Sequence, residues 1–174
     1  MQEKCWKVNI ANKKMKKFLI TLIIILIPFK SFGLIEVDIT RGNLNPLPVA
    51  VSPLSIDEES KKKFEKILKK KNIGSEISSI VENNLKVSGL FNPLNKDAFL
   101  QEPDIANLKP RFEDWNLIKA QALITGKVSY AEEKLRVEFR LWDVLAGKEM
   151  MALAFTTVPN NWRRVGHIIT DKVY

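Results

Sequence analysis

The sequence predicts one α/β (α+β) domain, in which a mixed or antiparallel sheet of about five strands carries two or three helices packed on one face. Residues 135–144 alternate apolar and charged side chains and lie between two turn-forming segments, 131–134 and 145–148. Residues 75–88 place apolar side chains at helical spacing and are followed by Gly89, a residue type that commonly ends helices. Together these patterns predict an antiparallel meander packed against helices.

The elements before residue 100 are predicted from alternation and from helical spacing. Residues 34–40 (LIEVDIT) alternate, which predicts a terminal strand, and the loop that follows runs to residue 46. Residues 47–54 predict a second strand, in which prolines fit only the ends or an edge position. Residues 56–71 predict a charged surface helix. A short strand is expected at 91–94, after the helix at 75–88.

The elements after residue 100 begin with a connection that we expect to be non-helical, because Pro103 and Pro110 interrupt it. Residues 113–121 predict a short helix, and three strands follow at 122–130, 135–144 and 149–157. The middle strand is expected to face the core with Leu135, Val137, Phe139 and Leu141, and the solvent with Arg136, Glu138 and Arg140.

The final predicted helix begins at Pro159 or Asn160 and runs to Tyr174. Its apolar stripe consists of Trp162, Val165, Ile169 and Val173. The last carbonyl groups of a helix require hydrogen-bond partners, and no capping residue follows Tyr174. We therefore expect the natural polypeptide to continue beyond this residue.

The first 33 residues have the three regions of a secretory signal peptide. Lysines at 13–17 form the positive region, residues 18–29 (FLITLIIILIPF) form the apolar region, and small residues precede a cleavage site between Gly33 and Leu34. The alternative is an uncleaved anchor, but a spanning helix needs about 20 apolar residues, and this run is shorter. Membrane contact is therefore expected only transiently, through the signal peptide. Met15 is an alternative start site. In that case residues 1–14 would have been added to the sequence by placing the start of the gene too early.

The basic character of the chain belongs to this leader. The whole sequence has 28 basic and 20 acidic residues, a net charge of +8. Residues 1–33 contain seven lysines and one acid, so the remaining chain has a net charge of only +2. Cys5, the single cysteine, also lies in the leader, which excludes disulfides and thiolate metal sites from the mature part. About 140 remaining residues suffice for an ordinary hydrophobic core.

Motifs for catalysis or cofactor binding are few, and we predict that the domain is not an enzyme and holds no metal or cofactor. His167 is the single histidine, and no glycine-framed serine accompanies it. Glycines are dispersed singly, which excludes a phosphate-binding loop. Two alternatives stay open: an accessory hydrolase that uses His167, and an anionic-polymer or nucleic-acid binder that uses Arg136 and Arg140. The export signal argues against nucleic acid as a partner.

Three long segments resemble one family, TolB, the periplasmic component of the Tol-Pal envelope system. They are residues 110–126 (PRFEDWNLIKAQALITG), 135–147 (LRVEFRLWDVLAG) and 160–174 (NNWRRVGHIITDKVY), and the block 88–91 and the mature start IEVDIT also fit. The resemblance covers residues 34–174 and is to the α-proteobacterial type of amino-terminal domain. It assigns 47–174 to that domain and 34–46 to a partner-binding strand and loop.

The resemblance implies a non-catalytic periplasmic adaptor that supports outer-membrane integrity, cell division and import of colicin-type proteins. In this family the mature amino terminus engages TolA. That segment corresponds here to Leu34, Ile35, Glu36, Val37, Asp38, Ile39 and Thr40. An alternating terminal strand is also the element that strand addition to another sheet requires. Family members continue into a β-propeller that binds Pal, so the missing propeller implies loss of the Pal contact.

Overall fold

The computed structural model describes residues 45–174. The signal segment, its cleavage site and the strand predicted at 34–40 lie outside the described residues. Within 45–174 the structure contains six strands and five helices. The strands are β1 (Leu47–Val51), β2 (Ser55–Ile56), β3 (Phe91–Pro93), β4 (Ala122–Ala131), β5 (Lys134–Asp143) and β6 (Lys148–Thr157). The helices are α1 (Glu58–Leu68), α2 (Ile73–Val87), α3 (Pro103–Leu108), α4 (Phe112–Leu117) and α5 (Trp162–Val173).

The strands form one mixed sheet in the order β3-β1-β4-β5-β6, with β2 pairing separately with β4. The pairs β1/β3, β1/β4 and β2/β4 are parallel, whereas β4, β5 and β6 form the predicted antiparallel meander. The predicted fold class is therefore confirmed. The strand expected at 47–54 is divided into β1 and β2, because Pro53 between them has no N–H group to donate.

Local signals explain the two helices that follow β2. Asp57 caps α1 by accepting a hydrogen bond from the Ser60 N–H at 2.8 Å, and Asn72 caps α2 through the Ser75 N–H at 3.1 Å. The helix α2 ends one residue before the predicted end, and Gly89 beyond it has a φ of +73°, as expected for a helix-terminating glycine.

The connection expected to be non-helical up to Lys109 contains the helix α3, so this prediction is wrong. Pro103 occupies the first turn of α3, where its missing N–H group would have no intrahelical acceptor in any case. The next helix, α4, is shorter than the predicted span 113–121. The chain leaves it through Lys119, whose φ of +62° is incompatible with continued right-handed helix.

Two hydrophobic cores lie on opposite faces of the sheet. Val49 and Val51 of β1 point into the larger core with the buried side chains of α1, α2 and α5, whereas Ala50 points into the smaller one. The smaller core contains Trp115 of α4, whose indole N–H donates to Gln101 Oε1 at 2.7 Å. Three helices thus cover one face, as predicted, while α3 and α4 lie on the other.

No helix between residues 45 and 174 is long and apolar enough to cross a membrane.

Candidate functional site

The most accessible part of the described sheet is its outer edge, formed by the ten-residue strand β6. Only β5 packs extensively against β6, and no described strand pairs with its other side. Every residue of β6 is exposed or half-exposed. An unpaired edge presents a row of backbone N–H and C=O groups, which is the surface that another strand can extend.

The inner face of β6 is apolar and only partly covered. Met151, Leu153 and Phe155 lie opposite Leu141, Phe139 and Val137 of β5. The three β5 side chains are buried, whereas Leu153 remains 37% exposed. Phe155 stacks on Phe139 with a centroid separation of 6.1 Å. The helix layer therefore ends over β5 and leaves an apolar stripe along β6, which we call the inner stripe (Met151, Leu153 and Phe155).

The outer face of β6 carries small side chains beside charged ones. Ala152 and Ala154 lie opposite Arg140 and Glu138. Because the alanine side chains are short, a shallow depression of about 180 Å³ lies between the strands. Arg136, Glu138 and Arg140 line this depression. Its floor is therefore apolar, and guanidinium groups stand along one side.

The two arginines of this face are already engaged within the domain. Arg136 Nε lies 2.9 Å from Glu138 Oε1, and Arg140 Nε lies 3.3 Å from Glu149 Oε2. Arg140 also donates to the backbone oxygen of Asn107 at 3.1 Å. The prediction that Arg140 simply faces solvent is thus wrong: it fastens α3 to the sheet. This structural use weakens the anionic-polymer alternative.

His167 lies on the exposed surface of α5 and contacts α2. Its Nδ1 is 2.9 Å from Asn84 Nδ2, and the same amide nitrogen donates to Thr170 Oγ1 at 3.2 Å. An amide N–H donor on Asn84 requires Nδ1 to accept in this contact. His167 is therefore a hydrogen-bonded surface residue. A carboxamide partner cannot act as the nucleophile that the hydrolase alternative requires.

A second depression, of about 370 Å³, lies where β2, α1 and α3 meet. Its lining includes Asp57, Glu58, Asp104 and Lys127. The Ser60 N–H, more than the Ser60 hydroxyl or Lys127, lowers the pKa of Asp57, against a smaller opposing effect of burial. Asp57 is therefore occupied as a helix cap. Across residues 45–174, no group of three or more His, Cys, Asp or Glu side chains is arranged to hold a metal ion.

The predicted partner-binding residues 34–40 and the cleavage site at Gly33 and Leu34 lie outside residues 45–174, so the structure does not place them. The open β6 edge was missed by the sequence reasoning, although a signal was available. Residues 148–157 (KEMMALAFTT) have apolar or small side chains at both alternating sets of positions, unlike the clean alternation of residues 135–143.

Comparison with known proteins gives three findings. The family model of the TolB amino-terminal domain matches residues 35–150. The chain is 81% identical over 153 residues to the Tol-Pal system protein TolB of Pelagibacter ubique. The aligned region covers 88% of this chain and 34% of that protein. It thus spans about a third of the relative's length. The crystal structure of TolB from Acinetobacter baumannii is similar with a TM-score of 0.57 at 18% identity, over 74% of this chain and 27% of that one.

Proposed function

This chain belongs to the TolB family, and from that premise we propose that it is a non-catalytic periplasmic adaptor of the Tol-Pal system. In this proposal the signal peptide is removed after Gly33, and the new amino terminus binds TolA through residues 34–40. The single observation that carries the proposal is the 81% identity to a Tol-Pal system protein across most of the chain.

The extent of the family match supports the role of the terminal segment. The match begins at residue 35, next to the expected cleavage site, and so includes nearly all of the segment 34–40 that is predicted to be a strand. The apolar leader lies before it. This arrangement is the one expected if the family's conserved unit starts where the mature protein starts.

The physical basis of the proposed recognition is strand addition with side-chain anchoring. Each backbone hydrogen bond contributes roughly 0.5–1.5 kcal/mol, while ordering each residue costs roughly 1–2 kcal/mol. Over seven residues the ordering cost is at least comparable with the gain from the hydrogen bonds. Net affinity therefore depends on Ile35, Val37 and Ile39 entering apolar pockets, with Glu36 and Asp38 meeting basic groups of the partner. Binding of this kind is modest and reversible.

The wider role that we propose is support of outer-membrane integrity and cell division, together with import of colicin-type proteins. Each of these depends on the connection to TolA. We propose no Pal contact for residues 34–174, because in this family Pal docks on the propeller.

The decisive experiment is titration of a purified TolA carboxy-terminal domain with the fragments 34–174 and 43–174. We expect the shorter fragment to lose binding, because it lacks the whole strand. Val37→Asp in the longer fragment should weaken binding at least tenfold, whereas Leu34→Ser, at the end of the segment, should change it little. Equal affinities for the two fragments would refute recognition through the strand.

The processing step is tested separately by mass spectrometry of the mature protein from cell envelopes. We expect a mass that begins at Leu34. A protein that retains residues 18–29 would have no new amino terminus, and the proposed mechanism would be rejected.

A further inference from the structure

We propose that two copies of this domain associate through β6, whose edges pair as antiparallel strands about a twofold axis that passes between the two Leu153 residues. The contact lies entirely within residues 45–174. Because no Tol-Pal partner takes part in it, this association goes beyond the proposed function and does not depend on it. The open edge, the inner face and the outer face of β6 each support it.

The β6 edge lacks the protection that exposed edges usually carry. Natural sheets block such edges with prolines, inward-pointing charges or short strands. The strand β6 has ten residues and no proline, and its charged residues, Lys148 and Glu149, both lie at its start. The irregularity in its pairing with β5 occurs at Leu141 and Trp142, which leaves residues 151–157 regular. Residues 151–157 therefore carry none of the features that prevent a second strand from pairing.

The apolar side chains of the inner face match one another when Leu153 lies at the centre. With Leu153 opposite its own counterpart, Met151 lies opposite the partner's Phe155, and Phe155 lies opposite the partner's Met151. Side chains directly opposite in a sheet have Cβ atoms about 4.5–5.5 Å apart, so the whole inner stripe gains apolar contacts. Leu153, which is 37% exposed in the single domain, loses much of its remaining contact with water.

The outer face brings opposite charges together in the same register. Ala152 then lies opposite the partner's Ala154, so Arg140 and the partner's Glu138 flank a row of two alanines. Their backbones are three strand spacings, or about 14 Å, apart. Both side chains line the depression above the alanines, which brings their charges within about one Debye length, 8–10 Å, of each other. This attraction, repeated by the twofold axis, selects the register more than it strengthens the contact.

Other registers lose this match. A centre at Ala152 would direct Arg140 toward its own counterpart, and a centre at Ala154 would do the same for Glu138. Like charges facing each other across strands are destabilising. Centres further along β6 in either direction would place Leu153 opposite a charged or polar residue. A second copy of β6 in the register centred on Leu153 is therefore the occupant that this edge fits.

The opposite edge of the sheet is a poorer site for symmetric pairing. The strand β3 has only three residues, and one of them is Pro93. Phe91 of β3 is also covered, since its ring packs edge-to-face on Tyr174 with a centroid separation of 5.7 Å. A contact of several residue pairs is therefore possible at β6 and not at β3.

The size of the contact determines its strength. Stable interfaces contain about 20–30 residues on each side. The regular part of β6 offers only the seven residues 151–157. The association is therefore weak and reversible, with a dissociation constant of about 0.1 mM.

The first test is sedimentation equilibrium of residues 34–174 at concentrations around that value. We expect a monomer–dimer equilibrium. Leu153→Lys places two like charges opposite each other at the centre and should weaken association at least tenfold. Val87→Lys adds the same charge to α2, at a residue that is 78% exposed, and is the matched control that should leave association unchanged.

A mixture of two charge variants tests the position of the twofold axis. Only a residue on the axis lies opposite itself. Leu153→Lys and Leu153→Glu should therefore each fail to associate alone and should associate again when they are mixed in equal amounts. Thermal unfolding of each variant verifies that it is folded.

Disulfide formation provides a measurement that needs no charge variant. Residues 34–174 contain no cysteine, so each variant has one thiol. Opposite Cα atoms of antiparallel strands are about 4.5–5.5 Å apart, within the range for a disulfide, so oxidised glutathione should link Leu153→Cys into a covalent dimer. Thr156→Cys, also exposed on β6, is the control: its counterpart would lie about 20 Å away, and it should not be linked.

Three results would overturn the proposal: a monomer at every concentration, association that is insensitive to Leu153→Lys, or equal linking of the two cysteine variants. None of these measurements contains TolA. Failure of the proposed function would therefore leave their outcome unchanged.

Discussion

The strands β4 and β6 are equal in length and separated only by β5, yet their surroundings differ completely. In β4, residues 122–126 and 128 are buried, and both faces are covered by the two cores. In β6 no residue is buried, although both strands contain six apolar residues. The difference shows that hydrophobicity along a strand does not decide its burial. The helix layer is narrower than the sheet, so the strand beyond it remains accessible.

This contrast divides the sheet into a buried part that provides stability and an edge that remains accessible to solvent. Burial of apolar area stabilises the fold in proportion to the area removed from water, which is large for β4 and small for β6. Changes in β4 should therefore lower the free energy of unfolding much more than changes in β6.

The largest expected effect comes from the same substitution made in the two strands. Leu123→Ala removes a fully buried side chain of β4 and should cost about 2–5 kcal/mol in the free energy of unfolding. Leu153→Ala in β6 should cost about 1 kcal/mol or less, because that side chain keeps solvent contact. Urea denaturation measures both values. Similar losses at the two positions would contradict the contrast between the strands.

A smaller effect is expected from adding a side chain at Gly126 in β4, where the backbone of β5 lies very close. A Cβ atom at this position would meet the backbone oxygen of Glu138 and would lie 2.8 Å from Leu54 Cδ2. Gly126→Ala should therefore destabilise the domain by about 1–3 kcal/mol, measured by thermal unfolding. Ala154→Ser in β6 is the control and should remain within about 0.5 kcal/mol of the wild type. A stable Gly126→Ala variant would show that β4 and β5 can separate at little cost.

The hydrogen bonds that cap α1, next to the end of β4, should make the stability of the domain depend on pH. Ser60 accepts a hydrogen bond from the Tyr130 N–H at 2.8 Å while its own N–H and hydroxyl donate to Asp57. Asp57→Ala should cost about 0.5–2 kcal/mol at pH 7. The folded pKa of Asp57 is lowered, so its contribution is complete above the unfolded pKa of about 3.9 and is lost as the pH falls through the folded value.

The measurement is urea denaturation of wild type and Asp57→Ala between pH 7 and pH 2.5. The difference between the two should stay constant above about pH 5 and shrink below about pH 4. A difference that is independent of pH would show that the carboxylate charge does not contribute to the cap.

The smallest effect is expected at a contact that involves neither β4 nor β6. His167→Gln alters one exposed hydrogen bond between α2 and α5 and should change the free energy of unfolding by less than about 0.5 kcal/mol. Complementation of a strain that lacks the natural gene should also be unchanged when the variant is carried in the full-length protein. Loss of complementation by a stably folded variant would instead revive the hydrolase alternative.

Local patterns in the sequence were sufficient for most elements of the fold. The alternation of residues 135–144 correctly predicted which side chains of β5 are buried, and the spacing within 75–88 correctly predicted α2. The error at Pro103 arose because proline ends a helix in its interior but begins one at its first turn, and the flanking sequence did not distinguish these positions. Arg140 was misjudged because its partner, Asn107, is 33 residues away in the sequence.

The sequence by itself determined most of the secondary structure and the alternation of the meander, since each depends on residues that are close together in the chain. Only the tertiary structure decided that β1 and β4 are parallel neighbours at the centre and that β6 is left at an open edge. The physical reason is that burial depends on how far the helix layer extends across the sheet. That extent is set by long-range packing of α1, α2 and α5, which no local pattern encodes.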